Sequence, residues 1–134
     1  MRDKPVVVVA DDDPDMRAFL SHVLSAAGYR AHTAMDIPEA MKHLLRPGVA
    51  AVVLDMLFVN SNGRSGLDLL RFIRNDTVLK DLPVIVLTGF PLNRDIVADV
   101  KGHRADLWRK PIDPVQLTHR LDQLVHRDTA GAES

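Results

Sequence analysis

Short solid apolar runs alternate with amphipathic stretches along this chain. Val6-Val7-Val8-Val9-Ala10, Ala51-Val52-Val53-Leu54 and Val84-Ile85-Val86-Leu87 are continuous and largely β-branched, and each stops at an acid or a turn residue. Runs of this kind read as strands buried on both faces, the environment of a parallel sheet covered by helices. Between them apolar residues recur three and four apart: Met16, Phe19, Leu20, Val23, Leu24 and Ala27; then Ala40, Met41, Leu44 and Leu45; then Leu67, Leu69, Leu70 and Ile73; and last Leu117, Leu121, Leu124 and Val125. That spacing predicts helices with one buried face. Punctuation agrees with it. Asp13 and Pro14 suit an N-cap and first helical position, Gly28 suits the residue just past a helix end, and Asp36 with Glu39 suits a capping box. Tyr29 to Ala34 alternates, as a strand nearer an edge does, and Ala105 to Trp108 is a brief fifth strand. Asn93 to Val100 is a weakly patterned helix, and Asp113-Pro114 opens the last one.

Strand and helix therefore alternate five times, with no internal repeat. This predicts an α/β fold, (βα)5, with a doubly wound parallel five-stranded sheet and right-handed crossovers. In the order 2-1-3-4-5 strands one and three are neighbours at the topological switch point, where such sheets bind ligands.

Composition narrows the function. The chain has 134 residues, enough for one domain with one core. A formal charge of -1 gives no global field to recruit nucleic acid or anionic membrane. With no cysteine, a disulfide framework, a thiolate metal site and a Cys nucleophile are excluded, which is compatible with a reducing cytosol. The amino-terminal apolar run is too short for a signal sequence or a membrane span, so the expectation is a soluble cytoplasmic domain.

The chemistry collects at strand ends. In the expected order Asp11 and Asp12, after strand one, meet Asp55, which ends strand three. Grouped carboxylates repel, so a counter-charge is expected, and oxygen-only ligands select a hard cation such as Mg2+. Thr88 ends strand four and Lys110 follows strand five, offering a hydroxyl and an ammonium to the oxygens of a phosphoryl group. Together they fit phosphoryl transfer onto an aspartate.

This set, Asp11-Asp12, Asp55, Thr88 and Lys110-Pro111, each at a strand end and in that order, resembles the receiver domain of two-component response regulators, a flavodoxin-like fold. The resemblance runs from Val6 to Val125. It implies that Asp55 is the phosphoacceptor. It also implies that Asp12 and Asp55 ligate Mg2+ directly, with Asp11 acting largely through water and the backbone carbonyl of Leu57 as a further ligand. Thr88 would bond a phosphoryl oxygen in the active state, Lys110 would pair with the phosphoryl charge, and the Lys110-Pro111 bond would be cis. The implied donor is a phosphohistidine on a sensor histidine kinase or a histidine phosphotransfer protein, approached through exposed positions of helix one such as Asp15 and Arg17. The implied role is a signalling switch, not an enzyme beyond its own phosphorylation and dephosphorylation. The downstream protein target is left unknown, and no direct contact to nucleic acid or membrane is expected. A phospho-dependent homodimer is left open. Residues 1–126 would be the receiver and 127–134 a flexible tail or the start of a linker.

Four features depart from the family's pattern. The connection from Met56 to Ser65 is long, and Val59 stands where a proline is usual. Leu107 occupies the position of the switch aromatic, and Trp108 sits one place later. His103-Arg104 replaces a small pair. Leu57 and Phe90, at positions that influence attack by water, are both apolar, which predicts slow self-dephosphorylation. The six histidines show no ligand spacing and are expected at the surface. Other classes compete for the same edge. An aspartate-nucleophile phosphatase often carries a second Asp where Leu57 stands. A flavodoxin-like cofactor binder would need a phosphate-cradling loop where Asp11-Asp12-Asp13 would repel one. A degenerate receiver that never takes phosphate would not need Asp, Thr and Lys intact.

Overall fold

The hydrophobic code is read out strand by strand in the computed structural model, which describes residues 4–56, 65–89 and 94–126. In chain order the elements are β1 (Val6–Ala10), α1 (Pro14–Ala26), β2 (Arg30–Ala34), α2 (Ile37–Leu44), β3 (Val49–Asp55), α3 (Gly66–Asn75), β4 (Val84–Thr88), α4 (Arg94–Gly102), β5 (Asp106–Arg109) and α5 (Pro114–Val125). The five strands form one sheet in the order β2-β1-β3-β4-β5, and every neighbouring pair is parallel. The expected fold and strand order hold.

Because side chains alternate across a strand, each solid run feeds two cores. Val7, Val9, Ala51, Val53, Ile85 and Leu87 pack with Leu20 and Leu24 of α1 and Leu117 and Leu121 of α5. Val8, Ala10, Val52, Leu54, Val84 and Val86 pack on the other face with Ala40 and Leu44 of α2, Leu69, Leu70 and Ile73 of α3 and Val100 of α4. The helix ends follow their signals. Asp13 caps α1 by accepting from the Asp15 N–H at 3.0 Å, and Gly28 beyond its end takes φ +94°. Asp36 caps α2 by accepting from the Glu39 N–H at 2.8 Å, while the Glu39 carboxylate accepts from the Met35 N–H, one residue before the cap.

Several expectations are corrected. The fifth strand is Asp106–Arg109, one residue later than its apolar pattern, and α4 runs on to Gly102. Phe19 is 40% exposed, because α1 buries a narrow stripe through Leu20 and Leu24 and one residue back is about 100° round the helix. Leu45 is 70% exposed, since α2 ends at Leu44 and leaves it as the cap. Nor are all the histidines surface residues. His32 and His43 are half-buried, with ring centroids 5.4 Å apart, edge to face. His103 lies against Asp99 at 3.1 Å. No helix among the described residues is long and apolar enough to cross a membrane.

Candidate functional site at the carboxyl edge

β1 and β3 are adjacent, with Ala10 beside Leu54 in register, so the residues that follow them emerge side by side. Asp11, Asp12 and Asp55 each offer a carboxylate oxygen within 4.8 Å of the others. Asp11 is 1% exposed and Asp55 9%. Asp11 is held at every polar atom of its backbone and side chain. Its N–H donates to the Ala34 carbonyl at 3.1 Å and its Oδ1 accepts from the Asp13 N–H at 2.9 Å. Its Oδ2 faces Lys110 Nζ at 3.3 Å, and its carbonyl accepts from the Arg17 guanidinium at 2.8 Å.

Lys110 arrives from the far side of the sheet. Its N–H donates to the Thr88 carbonyl at 2.8 Å, which ties the ends of β4 and β5 together. The Lys110-Pro111 peptide is cis, as the sequence resemblance implied. The ammonium then stands 3.3 Å from Asp11 Oδ2 and 3.5 Å from Asp55 Oδ1, bridging the two carboxylates. Thr88 is 1% exposed at the end of β4. The five side chains singled out from the sequence thus reach one edge. The fourth metal ligand expected, the Leu57 carbonyl, lies outside the described residues, as do Val59, Phe90, most of the long connection and the tail 127–134.

This donor set suits a metal ion. Among the described residues three carboxylates gather around Lys110, whose ammonium bridges two of them, and the Arg17 guanidinium on the Asp11 carbonyl, a formal surplus of one negative charge. A divalent cation with a preference for oxygen ligands would offset that surplus.

Two contributors have roles that the sequence alone does not explain. Gly66, the first residue of α3, packs so closely under β3 that a Cβ on it would lie 2.1 Å from the Asp55 carbonyl and 2.9 Å from Met56 Cα. Its N–H donates to the Met56 carbonyl at 2.7 Å, closing the long connection onto the strand end. Arg17, expected as an exposed contact like its neighbour Asp15, is half-buried with its guanidinium turned onto Asp11. The displaced aromatic is settled by the strand's alternation. Leu107 packs toward α3 and α4, whereas Trp108 packs toward α1 and α5, so the tryptophan is on the wrong face to replace the aromatic missing at 107.

Comparison with known proteins agrees with this geometry. The profile of the response regulator receiver domain family matches residues 7–122. The transcriptional regulatory protein PrrA of Mycobacterium leprae is 33% identical over 97% of this chain and 54% of its own length. The phosphate regulon transcriptional regulatory protein PhoB of Klebsiella pneumoniae is 26% identical over 90% of this chain and 52% of its own. The chain therefore spans about half the length of the curated relatives it matches. Among solved structures, the chemotaxis protein CheY4 of Vibrio cholerae superposes with a TM-score of 0.79 at 25% identity, over 91% of this chain and 99% of that one. A CheY-like receiver domain protein from Methanospirillum hungatei gives 0.83 at 16% identity, over 96% and 99%, and so speaks for the fold alone. With a family match across most of its length, a sheet in the family's order and the acidic edge in place, the chain belongs to the receiver domain family of response regulators, the phosphorylation-dependent switches of two-component signalling.

Proposed function

We propose that Asp55 accepts a phosphoryl group from a phosphohistidine, carried by a sensor histidine kinase or a histidine phosphotransfer protein, at a Mg2+ site made by Asp11, Asp12 and Asp55. The observation that carries this reading is Lys110 Nζ bridging Asp11 and Asp55, at 3.3 and 3.5 Å, beside a third carboxylate. A carboxylate is anionic at neutral pH and needs no base, so an Asp55 oxygen attacks phosphorus directly. The phosphorus–nitrogen bond breaks, and the imidazole leaves with its electron pair. Mg2+, when bound, would supply charge neutralisation for the transferring phosphoryl oxygens. Lys110 needs to move little to exchange a carboxylate partner for a phosphoryl oxygen, and the Thr88 hydroxyl offers a second donor.

The acyl phosphate adds roughly two negative charges to the edge, which draws Thr88 and Lys110 toward it and biases the adjoining elements. This reading concerns a receiver unit over residues 1–126, working in the cytoplasm where such donors act; 127–134 would be its tail or linker. Its output partner would be a protein. Incubation with Mg2+ and acetyl phosphate should add one phosphoryl mass to the wild-type chain and none to Asp55→Ala. An adduct that survives that substitution, or a wild type that never acquires one, would overturn the assignment. With Leu57 and Phe90 both apolar, the adduct should persist for minutes or longer in the purified protein; decay within seconds would remove that expectation.

A further inference from the structure

We propose that Arg17 is a positioning residue for the metal site, acting through the Asp11–Asp12 peptide; this rests on the metal reading of the acidic edge given above. Arg17 lies in the second turn of α1, and its backbone N–H already donates to the Asp13 carbonyl at 3.0 Å. Its side chain turns back across the acidic turn and donates to the Asp11 carbonyl at 2.8 Å. That carbonyl belongs to the peptide whose nitrogen is Asp12's. Fixing its plane fixes the direction in which Asp12 leaves the backbone, and so where its carboxylate stands relative to Asp55.

The rest of the turn makes the contact consequential. Asp11 is anchored at its N–H by Ala34 and at its two carboxylate oxygens by the Asp13 N–H and Lys110, so its carbonyl is the last polar atom through which the turn could rotate. A guanidinium suits the role. It is always charged, it only donates, and its planar fork loses less freedom per bond than an ammonium does. Groups that orient metal ligands from outside the ligand set typically change affinity by 10–100-fold when removed. A positive charge placed near a cation site would by itself weaken cation binding. Charge and orientation therefore predict opposite signs for loss of Arg17.

The test is a Mg2+ titration of the wild-type chain, Arg17→Ala, Arg17→Lys and Asp12→Ala, followed by calorimetry and by the rise in thermal midpoint. It is run at a temperature where circular dichroism shows all four folded. Positioning predicts that Arg17→Ala weakens Mg2+ binding about 10-fold and that Arg17→Lys recovers part of the loss. With acetyl phosphate, the Mg2+ concentration for half-maximal phosphorylation should rise in the same proportion, while the rate at saturating Mg2+ stays near wild type. An Arg17→Ala chain that binds Mg2+ as tightly as wild type, or more tightly, overturns the positioning role and leaves the metal site standing. A wild type with no Mg2+ response, or one unchanged by Asp12→Ala, overturns the metal reading and the positioning role with it.

Discussion

The two ends of the sheet solve the burial of charge in opposite ways. At the carboxyl edge three carboxylates crowd within 4.8 Å, and the Lys110 ammonium bridges two of them. At the amino edge a single guanidinium donates to four backbone carbonyls. Arg74, near the C-terminus of α3, donates from Nε to the His103 carbonyl at 2.6 Å, from one terminal nitrogen to Leu82 at 2.7 Å and Lys80 at 3.1 Å, and from the other to Arg104 at 3.1 Å. Those carbonyls sit where the chain enters β4 and β5. Burial holds the Arg74 pKa below its ordinary value, with the neighbouring Arg104 adding to it, yet a guanidinium keeps its proton. One end gives its half-buried cation four carbonyl partners and so contributes stability. The other leaves repulsion in place, which costs stability unless something arrives to relieve it.

The largest effect should come from breaking the satisfied end. Arg74→Ala leaves carbonyls of two turns without their donor and should cost about 2–4 kcal/mol in urea unfolding, with the phosphorylated yield at Asp55 unchanged in the fraction that stays folded. A loss under about 0.5 kcal/mol would show that water replaces the guanidinium freely. The frustrated end should respond with the opposite sign. Asp12→Asn removes one of three like charges at nearly constant shape and should raise stability in metal-free buffer by about 1 kcal/mol. Addition of Mg2+ should then stabilise wild type and not the variant, reversing their order. Equal stability in metal-free buffer would mean that Asp12 is already compensated within the fold.

How much of this is visible in sequence depends on whether the interaction is local. The long strands and the acidic edge follow from apolar runs that stop at Asp or Thr, a signal within five residues of Asp11, Asp12, Asp55 and Thr88, whereas the strand order rests on the alternation of strand and helix along the whole chain. Caps at Asp13, Asp36 and Asp113 follow for the same reason. Arg74 does not: its partners lie 6 to 30 residues away, and its only sequence signature is a cation in the last turn of a helix, which many solvated arginines share. Gly66 is intermediate. A glycine opening an amphipathic helix is legible as a turn, but that the reason is the Asp55 carbonyl at its back is a tertiary fact. Leu45 and Phe19 misled because period alone does not say how wide the buried stripe is or where the helix stops.

The smallest expected effect lies between the two ends, at the sheet's edge strand. His32 on β2 faces His43 on α2, whose Nε2 lies 3.1 Å from the Thr33 carbonyl and so carries the proton. Nδ1 of His43 is shut off from solvent and finds no partner among the described residues. Burial, and then the charges of His43, Arg46 and Arg30, push the His32 pKa below its ordinary value. The unfolded chain therefore takes up a proton at His32 more readily than the folded chain does. As pH falls below about 6.5, the protonated unfolded state gains and stability declines; above that both states are neutral and the term vanishes. His32→Gln should flatten the stability profile below about pH 6.5, with little change at pH 8. The edge position explains why the effect is small: β2 is paired on one side only, so water can reach part of the ring and soften the penalty. A profile as steep in His32→Gln as in wild type would show that His32 is not the source of the acid sensitivity.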